Sequence, residues 1–159
     1  MSDIWIKLKN FINFGKFNIR MRRSAGVIII FNDKILLCHP TNSKWFGTYS
    51  FPKGAVESGE SDLDAAVREL KEETSICIDK NLLTEKPIEV DYINKKKTKY
   101  KKIILYKLHI NSLQEIGLDT EIIPQEKLQL EEIDWCGFIT KDEAKSRIFH
   151  RITHILETI

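Results

Sequence analysis

A glycine-containing loop that runs directly into a helix is the feature of this sequence that most restricts its fold. The loop FPKGAVESGE spans residues 51–60, and Gly54 and Gly59 let its backbone approach a ligand closely. Ser61 is a good helix N-cap residue. Apolar residues then recur at the spacing of one buried helical face, at Leu63, Ala66, Val67 and Leu70. We therefore predict a helix that begins after Ser61 and ends near Thr74–Ser75.

Apolar segments on both sides of this helix predict strands. SAGVIIIF and ILLCH form a hairpin around NDK, SFP is a short extended piece, PIEVDYI and YKKIILYKLHI form a second hairpin, and EIDWCGFI follows. Thr140 and Glu143 make a capping box for a last helix. Its apolar residues are Ala144, Ile148, Ile152, Ile155 and Leu156. The sequence therefore predicts an α/β protein with helices packed on a mixed sheet.

Charge is distributed in blocks along the chain, although 25 basic and 23 acidic residues nearly balance. Residues 1–60 carry nine basic and four acidic residues, and residues 86–102 carry seven and two. Residues 61–85 carry three and seven, and residues 103–159 carry six and ten. A metal site that handles a polyanion has this pattern, because carboxylates hold the cation and lysines meet phosphates. A merely patchy surface has it too.

Three glutamates of the predicted helix share one face. Glu69, Glu72 and Glu73 stand at i, i+3 and i+4, about 115° from the centre of the apolar stripe. Carboxylates at this spacing repel one another, and a divalent cation would reverse that effect. Their oxygens are the hard ligands that Mg²⁺ or Mn²⁺ prefers. A solvated acidic face is the alternative explanation of these residues taken alone.

The loop and the helix together resemble the signature of the Nudix hydrolases. That signature is Gly, five residues, Glu, seven residues, Arg-Glu, an aliphatic residue, any residue, Glu-Glu, any residue, Gly and an aliphatic residue. GAVESGESDLDAAVRELKEETSI, residues 54–76, departs from it only at Ser75, where the family has Gly. The matching residues are Gly54, Glu60, Arg68, Glu69, Leu70, Glu72, Glu73 and Ile76. The resemblance covers 23 of 159 residues and implies an α/β/α sandwich with a central mixed β-sheet.

The resemblance also implies a metal-dependent reaction. It implies hydrolysis of a diphosphate linkage in a nucleoside diphosphate joined to another group, by metal-assisted attack of water on phosphorus. Glu69, Glu72 and Glu73 would bind Mg²⁺ or Mn²⁺, with the backbone carbonyl of Lys53 as a further ligand. Glu60 would support these ligands or bind an outer metal.

The family also implies roles for an arginine and for a general base. Arg68 would orient a glutamate through a charged hydrogen bond. Glu73 is one candidate for the general base, and Glu131 or Glu132, outside the signature, is another. Ser75 would cost on the order of 1 kcal/mol at a left-handed helix end, and it removes no ligand.

Residues outside the signature bear on the substrate. Family members that cleave dinucleoside polyphosphates tend to carry a Tyr 16 to 18 residues past the signature, and Tyr92 is 16 residues past Ile76. The Pro typical of members acting on ADP-ribose is absent there, since Pro87 lies too early. We therefore expect a dinucleoside polyphosphate such as diadenosine tetraphosphate, with Tyr92 and Tyr49 as candidate stacking residues.

Lysines offer a second interpretation of the substrate. FPKG also resembles the branches that handle polyphosphates and RNA caps, and Lys53 can meet a phosphate as a point charge. The lysine cluster that includes Lys95 and Lys97 suits a long phosphate chain or an RNA backbone. It would equally serve as a solvated hairpin turn. RNA 5′-end hydrolysis and a non-catalytic nucleotide-binding module remain the alternatives.

The rest of the chain suggests a cytoplasmic protein. Cys38, Cys77 and Cys136 are isolated and odd in number, which indicates neither a disulfide framework nor a zinc ribbon. No apolar run approaches the length of a membrane span. Residues 1–20 form a basic, aromatic-rich extension that either packs on its own domain or lies at a membrane surface. We expect residues 21–159 to form the Nudix domain.

Overall fold

The computed structural model describes residues 20–93 and 99–159, and these residues form a six-stranded sheet with two α-helices. The strands are β1 (Arg20–Phe31), β2 (Lys34–Pro40), β3 (Lys53–Ala55), β4 (Ile88–Ile93), β5 (Lys99–Ile110) and β6 (Ile133–Thr140). The helices are α1 (Asp62–Thr74) and α2 (Lys141–Arg147). Short 3₁₀ helices cover Lys80–Leu82, Leu113–Ile116, Gln125–Lys127 and His150–Glu157. None of the helices in the described parts is long and apolar enough to cross a membrane.

The sheet is mixed, as the sequence predicted. Its order is β4-β5-β1-β2-β6, and β3 pairs with β1 beside this path. The long strands β1 and β5 run parallel from the pair Arg20 and Lys99 to the pair Phe31 and Ile110. The other strand pairs are antiparallel. Arg20 belongs to β1, so this strand begins inside the predicted extension of residues 1–20, the rest of which lies outside the described residues.

Two apolar clusters cover the two faces of the sheet. Ala25, Val27 and Ile29 of β1 point to one face, where Ala65, Ala66 and Leu70 of α1 complete the core. Ile28 and Ile30 of the same strand point to the other face, against α2 and the C-terminal 3₁₀ helix. Side chains of a strand alternate between faces, so one strand serves both cores. The molecule is therefore the expected α/β/α sandwich.

Helix α1 begins and ends as the sequence predicted. The side chain of Ser61 caps the first turn by accepting a hydrogen bond from the Asp64 N–H at 3.1 Å. Ser75 follows the last turn in the left-handed conformation, with φ of 62°. Its hydroxyl donates to the carbonyl of Lys127 at 2.6 Å. That bond is one that the family's glycine could not make, and it offsets part of the backbone strain.

The sequence predicted a single C-terminal helix, and this prediction was wrong beyond the first two turns. Thr140 does cap α2 through the Glu143 N–H, but the helix ends at Arg147. Ile148 is extended and bridges to Tyr49, and the Phe149 N–H donates to the Tyr49 carbonyl at 2.8 Å. This backbone pairing competes with helical hydrogen bonds and interrupts the helix. A 3₁₀ helix then keeps the predicted apolar residues Ile152, Ile155 and Leu156 buried.

Candidate active site

The glycine loop passes directly over the glutamates of α1. The backbone N–H of Lys53 donates to Oε2 of Glu73 at 3.0 Å, joining β3 to the helix across 20 residues of sequence. A Cβ atom on Gly54 would lie 2.1 Å from the carboxylate carbon of Glu69. Only a glycine fits at that position without displacing Glu69. The fold thus places the loop backbone and two of the three predicted ligands side by side.

Arg68 binds the acidic side chains around it. Its Nε donates to Glu60 Oε1 at 2.8 Å, and one terminal nitrogen donates to Glu69 Oε1 at 2.8 Å and to Glu72 Oε2 at 3.1 Å. The other terminal nitrogen donates to Glu60 Oε2 at 3.1 Å and to the carbonyl of Ala55 at 2.9 Å. The hydrogen bond with Glu60 is the main reason that the pKa of Arg68 is raised. The guanidinium therefore fixes the positions of three carboxylates and of the loop.

Burial controls the charge of the glutamates. Glu69 and Glu73 are only 8% and 5% exposed. Burial raises the pKa of Glu73 to about 8, against the opposing influence of Lys53. Burial also raises the pKa of Glu69, against the opposing influence of Arg68. Two carboxylates removed from water with incomplete compensation of their charge are suited to a divalent cation.

The donor set fits a metal, although it is not arranged as a finished cage. Glu72 is about half exposed, so its carboxylate is open to solvent beside the two buried ones. Within residues 20–93 and 99–159, no three His, Cys, Asp or Glu side chains converge on one point. Glu69 and Glu72 turn instead towards Arg68. The assignment of Glu69, Glu72, Glu73 and the Lys53 carbonyl as ligands stays a prediction.

The turn before β6 supplies an acid outside the signature that acts on the glutamates of α1. The Gln129 N–H donates to the backbone carbonyl of Glu73 at 3.1 Å, which ties this turn to the end of the helix. The negative charge of Glu132 contributes to the raised pKa of both Glu69 and Glu73. Which of Glu131 and Glu132 could serve as the base stays a prediction.

Lys53 extends from the glutamates onto the opposite face of the sheet. Its partner in β1 is Gly26, and a Cβ atom on Gly26 would lie 2.4 Å from the Cβ of Lys53. The lysine therefore leans over β1 on the face that packs against α2. Burial lowers the pKa of Lys53, and the negative charge of Glu73 opposes this.

Tyr92 lies on the same face of the sheet as Lys53, beside the C-terminal segment. The ring centroid is 6.5 Å from that of Phe149 and 5.1 Å from the guanidinium carbon of Arg151. The ring is half-buried and already contacts the chain itself, and burial raises its pKa. Stacking of a base on Tyr92 stays a prediction.

Tyr49 lines a cavity with aromatic walls. The residue is only 2% exposed, and Arg147 donates to its hydroxyl at 3.3 Å. The cavity has a volume of about 230 Å³ and includes Trp45 and Trp135. A ligand of Tyr49 would have to enter this cavity. The two predicted lysines Lys95 and Lys97 lie outside the described residues.

Arg22 is a basic residue near the candidate site that sequence reasoning missed. It is the ladder partner of Lys101, and Lys101 in turn pairs with Tyr92, so the three side chains form one row across β1, β5 and β4. The sequence did indicate the face on which Arg22 lies. Arg22 and Gly26 are four residues apart in β1, and residues an even number apart in a strand point to the same face. The parallel pairing of β1 with β5 was needed to place it beside Lys101.

Comparison with known proteins identifies the family. A model of the NUDIX domain matches residues 20–152, which is most of the chain. The chain belongs to the Nudix hydrolase family, as the glycine loop and the glutamate helix predicted.

The chain is similar in sequence to proteins that act on RNA. An RNA pyrophosphohydrolase of Erythrobacter litoralis (strain HTCC2594) is 31% identical over 77 residues, 47% of this chain and 47% of that protein. The m7GpppN-mRNA hydrolase of Saccharomyces cerevisiae (strain ATCC 204508 / S288c) is 33% identical over 128 residues, 75% of this chain and 11% of that protein. The chain thus spans about half or less of these curated relatives.

Solved structures agree in fold. A MutT NUDIX hydrolase from Burkholderia pseudomallei has a TM-score of 0.67 and 20% identity, covering 88% of this chain and 98% of that one. An Ap4A hydrolase binary complex from C. elegans has a TM-score of 0.56 and 23% identity, covering 86% and 93%. At these identities the likeness concerns the fold alone.

Proposed function

We propose that this protein hydrolyses a phosphoanhydride linkage in a nucleoside polyphosphate, with a divalent metal, Mg²⁺ or Mn²⁺, as cofactor. The observation that carries the proposal is the contact of the Lys53 backbone with the buried carboxylate of Glu73, beside a Glu69 that Arg68 holds in place. Buried carboxylates under a loop that admits no side chain at Gly54 suit a cation and the phosphate bound to it.

Different residues of this chain would bind the metal, orient its ligands, contact the phosphate chain and accept a proton. Glu69, Glu72, Glu73 and the Lys53 carbonyl would hold the metal. When bound, the metal polarises phosphate oxygens and lowers the pKa of a coordinated water. Arg68 keeps Glu69 and Glu72 oriented through its hydrogen bonds. The Lys53 side chain leaves β3 beside Gly26 of β1, and its ammonium would meet the phosphate chain of the substrate. Glu132 or Glu73 accepts the proton of the attacking water.

An RNA 5′ end is the substrate we place first. The two curated relatives described above are more than 30% identical and are named for RNA pyrophosphohydrolase and mRNA-cap hydrolase activity. RNA would also use the basic surface that begins at Lys53, because a positively charged surface attracts the phosphate backbone. The sequence by itself favours dinucleoside polyphosphates, and the names of these relatives are our reason for placing RNA first.

A dinucleoside polyphosphate is the second candidate, and the position of Tyr92 favours it. Tyr92 lies in the same row as Lys101, on the face onto which Lys53 projects. Stacking of a base is worth about 1–3 kcal/mol. Tyr92→Ala should therefore lower kcat/KM for diadenosine tetraphosphate roughly 5- to 150-fold. It should leave inorganic polyphosphate, which has no base, nearly unchanged.

A hydrolysis screen of the full chain tests the proposal. The substrates are 5′-triphosphate RNA, capped RNA, diadenosine tetraphosphate and ADP-ribose, each with Mg²⁺, with Mn²⁺ and with EDTA. We expect metal-dependent turnover that is fastest with an RNA 5′ end. Faster turnover of diadenosine tetraphosphate, with a loss in Tyr92→Ala, would promote the second candidate. Nucleotide binding without turnover of any substrate would instead identify a non-catalytic binding module.

We also propose boundaries and a location. Residues 21–159 would form the catalytic domain, and residues 1–20 an extension. The free thiols of Cys38, Cys77 and Cys136 suit the reducing cytoplasm. Fractionation of cells that express the full chain, together with a shortened chain that begins at Met21, tests both proposals.

A further inference from the structure

Three basic side chains share one face of the sheet beside the proposed active site. Lys101 and Arg22 are direct partners in the β5–β1 ladder, and ladder partners point to the same face. Ile103, two residues after Lys101, belongs to the core on the α2 face, so Lys101 points to that face too. Lys53 leans over Gly26 on the same face, four residues along β1 from Arg22.

Small, buried residues lie between these cations along β1. Ser24 and Gly26 alternate with Arg22 on this face of β1, and neither carries a bulky side chain. Four residues of strand span about 13 Å. We call this part of the α2 face of β1 the basic trough, with Lys53 at one end and the pair of Arg22 and Lys101 at the other.

Within the part of the chain that the structure describes, no carboxylate is in ion-pair contact with the cations of the trough, although Glu73 attracts Lys53 from farther away. In the two described segments, no Asp or Glu oxygen lies within 4.0 Å of the charged nitrogens of Arg22, Lys53 or Lys101. The neighbouring Lys102 provides the contrast, since it points to the other face and binds Glu89 at 2.8 Å. Burial, followed by the positive charges of Lys53 and Arg22, lowers the pKa of Lys101 to about 8.

Arg22 is exposed, but Lys53 and Lys101 are partly buried, and keeping like charges together partly out of water is unfavourable for the folded chain. An anionic ligand would reverse that effect, because phosphate oxygens accept charge-assisted hydrogen bonds from each cation. Lys53 connects the two regions, since its backbone binds Glu73 and its ammonium lowers the pKa of Lys101. A phosphate chain that starts at the glutamates would therefore continue along the trough.

We propose that Lys101, with Arg22 and Lys53, forms a phosphate-binding subsite on the α2 face of β1 and β5, beyond the metal-binding glutamates. This inference rests on the proposed function and extends it to the part of the substrate that does not react. The phosphate belongs either to the 5′ polyphosphate itself or to the RNA backbone that follows it. Both sources have the same chemistry, and the probes below distinguish them.

Lys101→Met and Lys102→Met are the matched pair for the test. Both replace a lysine of β5 with an uncharged side chain of similar length, but only the first removes a cation from the trough. Lys101→Arg restores the charge. Binding is measured with labelled RNA in Mg²⁺ on a Glu73→Gln background, in which we expect the ligand to stay intact. Values of kcat and KM are measured with Glu73 present.

We expect Lys101→Met to weaken binding of 5′-triphosphate RNA about 10-fold, by loss of one charged hydrogen bond. Its salt dependence should fall by about 0.7 in the logarithmic slope. KM should rise with kcat nearly constant, and Lys101→Arg should retain most of the affinity. Lys102→Met should change neither affinity nor slope. The melting temperature of ligand-free Lys101→Met should stay constant or rise, because the variant removes a partly buried charge.

The probes assign the phosphate. A loss with 5′-triphosphate RNA and with GTP, but not with 5′-hydroxyl RNA, assigns the subsite to the 5′ polyphosphate. A loss with both RNAs, but not with GTP, assigns it to the backbone. Equal losses in Lys101→Met and Lys102→Met, or none in either, would overturn the subsite even if hydrolysis is intact. If hydrolysis is absent but Lys101→Met selectively weakens binding, the subsite stands and the proposed reaction fails.

Discussion

Glu73 is the residue at which the chemistry of the site and the stability of the fold oppose each other. Its carboxylate is 5% exposed and receives a hydrogen bond from the Lys53 backbone. Without a cation, burial makes its ionisation unfavourable and raises its pKa to about 8. A protein with no use for this charge would gain stability from a neutral residue there. Both predictions at this scale follow from that opposition.

Replacing the proposed ligands should abolish turnover with little effect on folding. Glu73→Gln and Glu72→Gln each remove a charged ligand and nearly preserve its shape. We expect kcat to fall at least about 100-fold, equivalent to about 2.7 kcal/mol of transition-state stabilisation. Glu126→Gln, an exposed change outside the proposed ligand set, is the control. Steady-state kinetics and circular dichroism check the prediction, and near-normal turnover in both variants would restore the interpretation of a solvated acidic face.

The metal-free protein should lose stability as pH rises. Between the ordinary value of 4.5 and about 8, folded Glu73 holds a proton that the unfolded chain has released. The free energy of unfolding should therefore decrease across this window, by up to about 1.4 kcal/mol per pH unit from this group. Urea unfolding in EDTA at several pH values measures the slope. Glu73→Gln should remove this part of it, and an unchanged slope in that variant would contradict the assignment.

At the scale of elements, β3 is a three-residue strand that holds the site between a helix and a sheet. Its glycine contacts Glu69 of α1, and its lysine lies over Gly26 of β1. Close approach on both sides explains why Gly54 and Gly26 occur at these positions. Replacing each of them should have a different effect.

Gly54→Ala and Gly26→Ala should separate activity from stability. A Cβ on Gly54 meets the end of a flexible side chain, 2.1 Å from the carboxylate carbon of Glu69. That variant should fold but lose activity, because Glu69 must move. A Cβ on Gly26 would lie 2.3 Å from the backbone oxygen of Pro52, which cannot yield so easily. That variant should lose about 1–3 kcal/mol or more of stability. Thermal melting and kinetics on both variants would contradict this account if the two profiles were alike.

The end of α1 supports a second comparison. Ser75 combines a left-handed backbone with a hydroxyl bond to Lys127. Ser75→Ala keeps the strain and loses the bond, so it should destabilise the protein by about 1 kcal/mol. Ser75→Gly loses the bond but relieves the strain, and should be nearly neutral. Urea unfolding of the two variants distinguishes them, and equal losses would show that the backbone strain is negligible.

At the scale of the whole molecule, the site glutamates and the proposed basic subsite belong to opposite faces of the sheet. The glutamates belong to the helix on one face, while Arg22, Lys53 and Lys101 occupy the other face. The blocks of charged residues in the sequence show how many acidic and basic residues each segment carries, but not where these residues lie in the fold. The fold converts them into an acidic region and a basic trough that meet at β3.

The hairpin lysines should matter most for long substrates. Lys95, Lys96 and Lys97 lie outside the described residues, next to the ends of β4 and β5 that carry Tyr92 and Lys101. If they contact phosphates, changing all three to Ala should raise KM mainly for the substrates with most phosphates. The same change should flatten the salt dependence of binding. Kinetics over a series of phosphate lengths checks this, and equal effects on short and long substrates would indicate a merely soluble turn.

The sequence by itself determined the five longer strands, the first helix and its caps, and the family, whereas β3 lies directly after the predicted extended piece SFP. These features depend on local chemistry: the spacing of Leu63, Ala66, Val67 and Leu70, the caps at Ser61 and Ser75, and a signature confined to residues 54–76. Tertiary structure alone decided which distant residues meet. Arg22 joined Lys101 only through the parallel β1–β5 pairing. Ile148 left its predicted helix because the backbone of Tyr49, 99 positions earlier, offered competing hydrogen bonds. Local pattern carries no record of such partners, since they come from elements far apart in the chain.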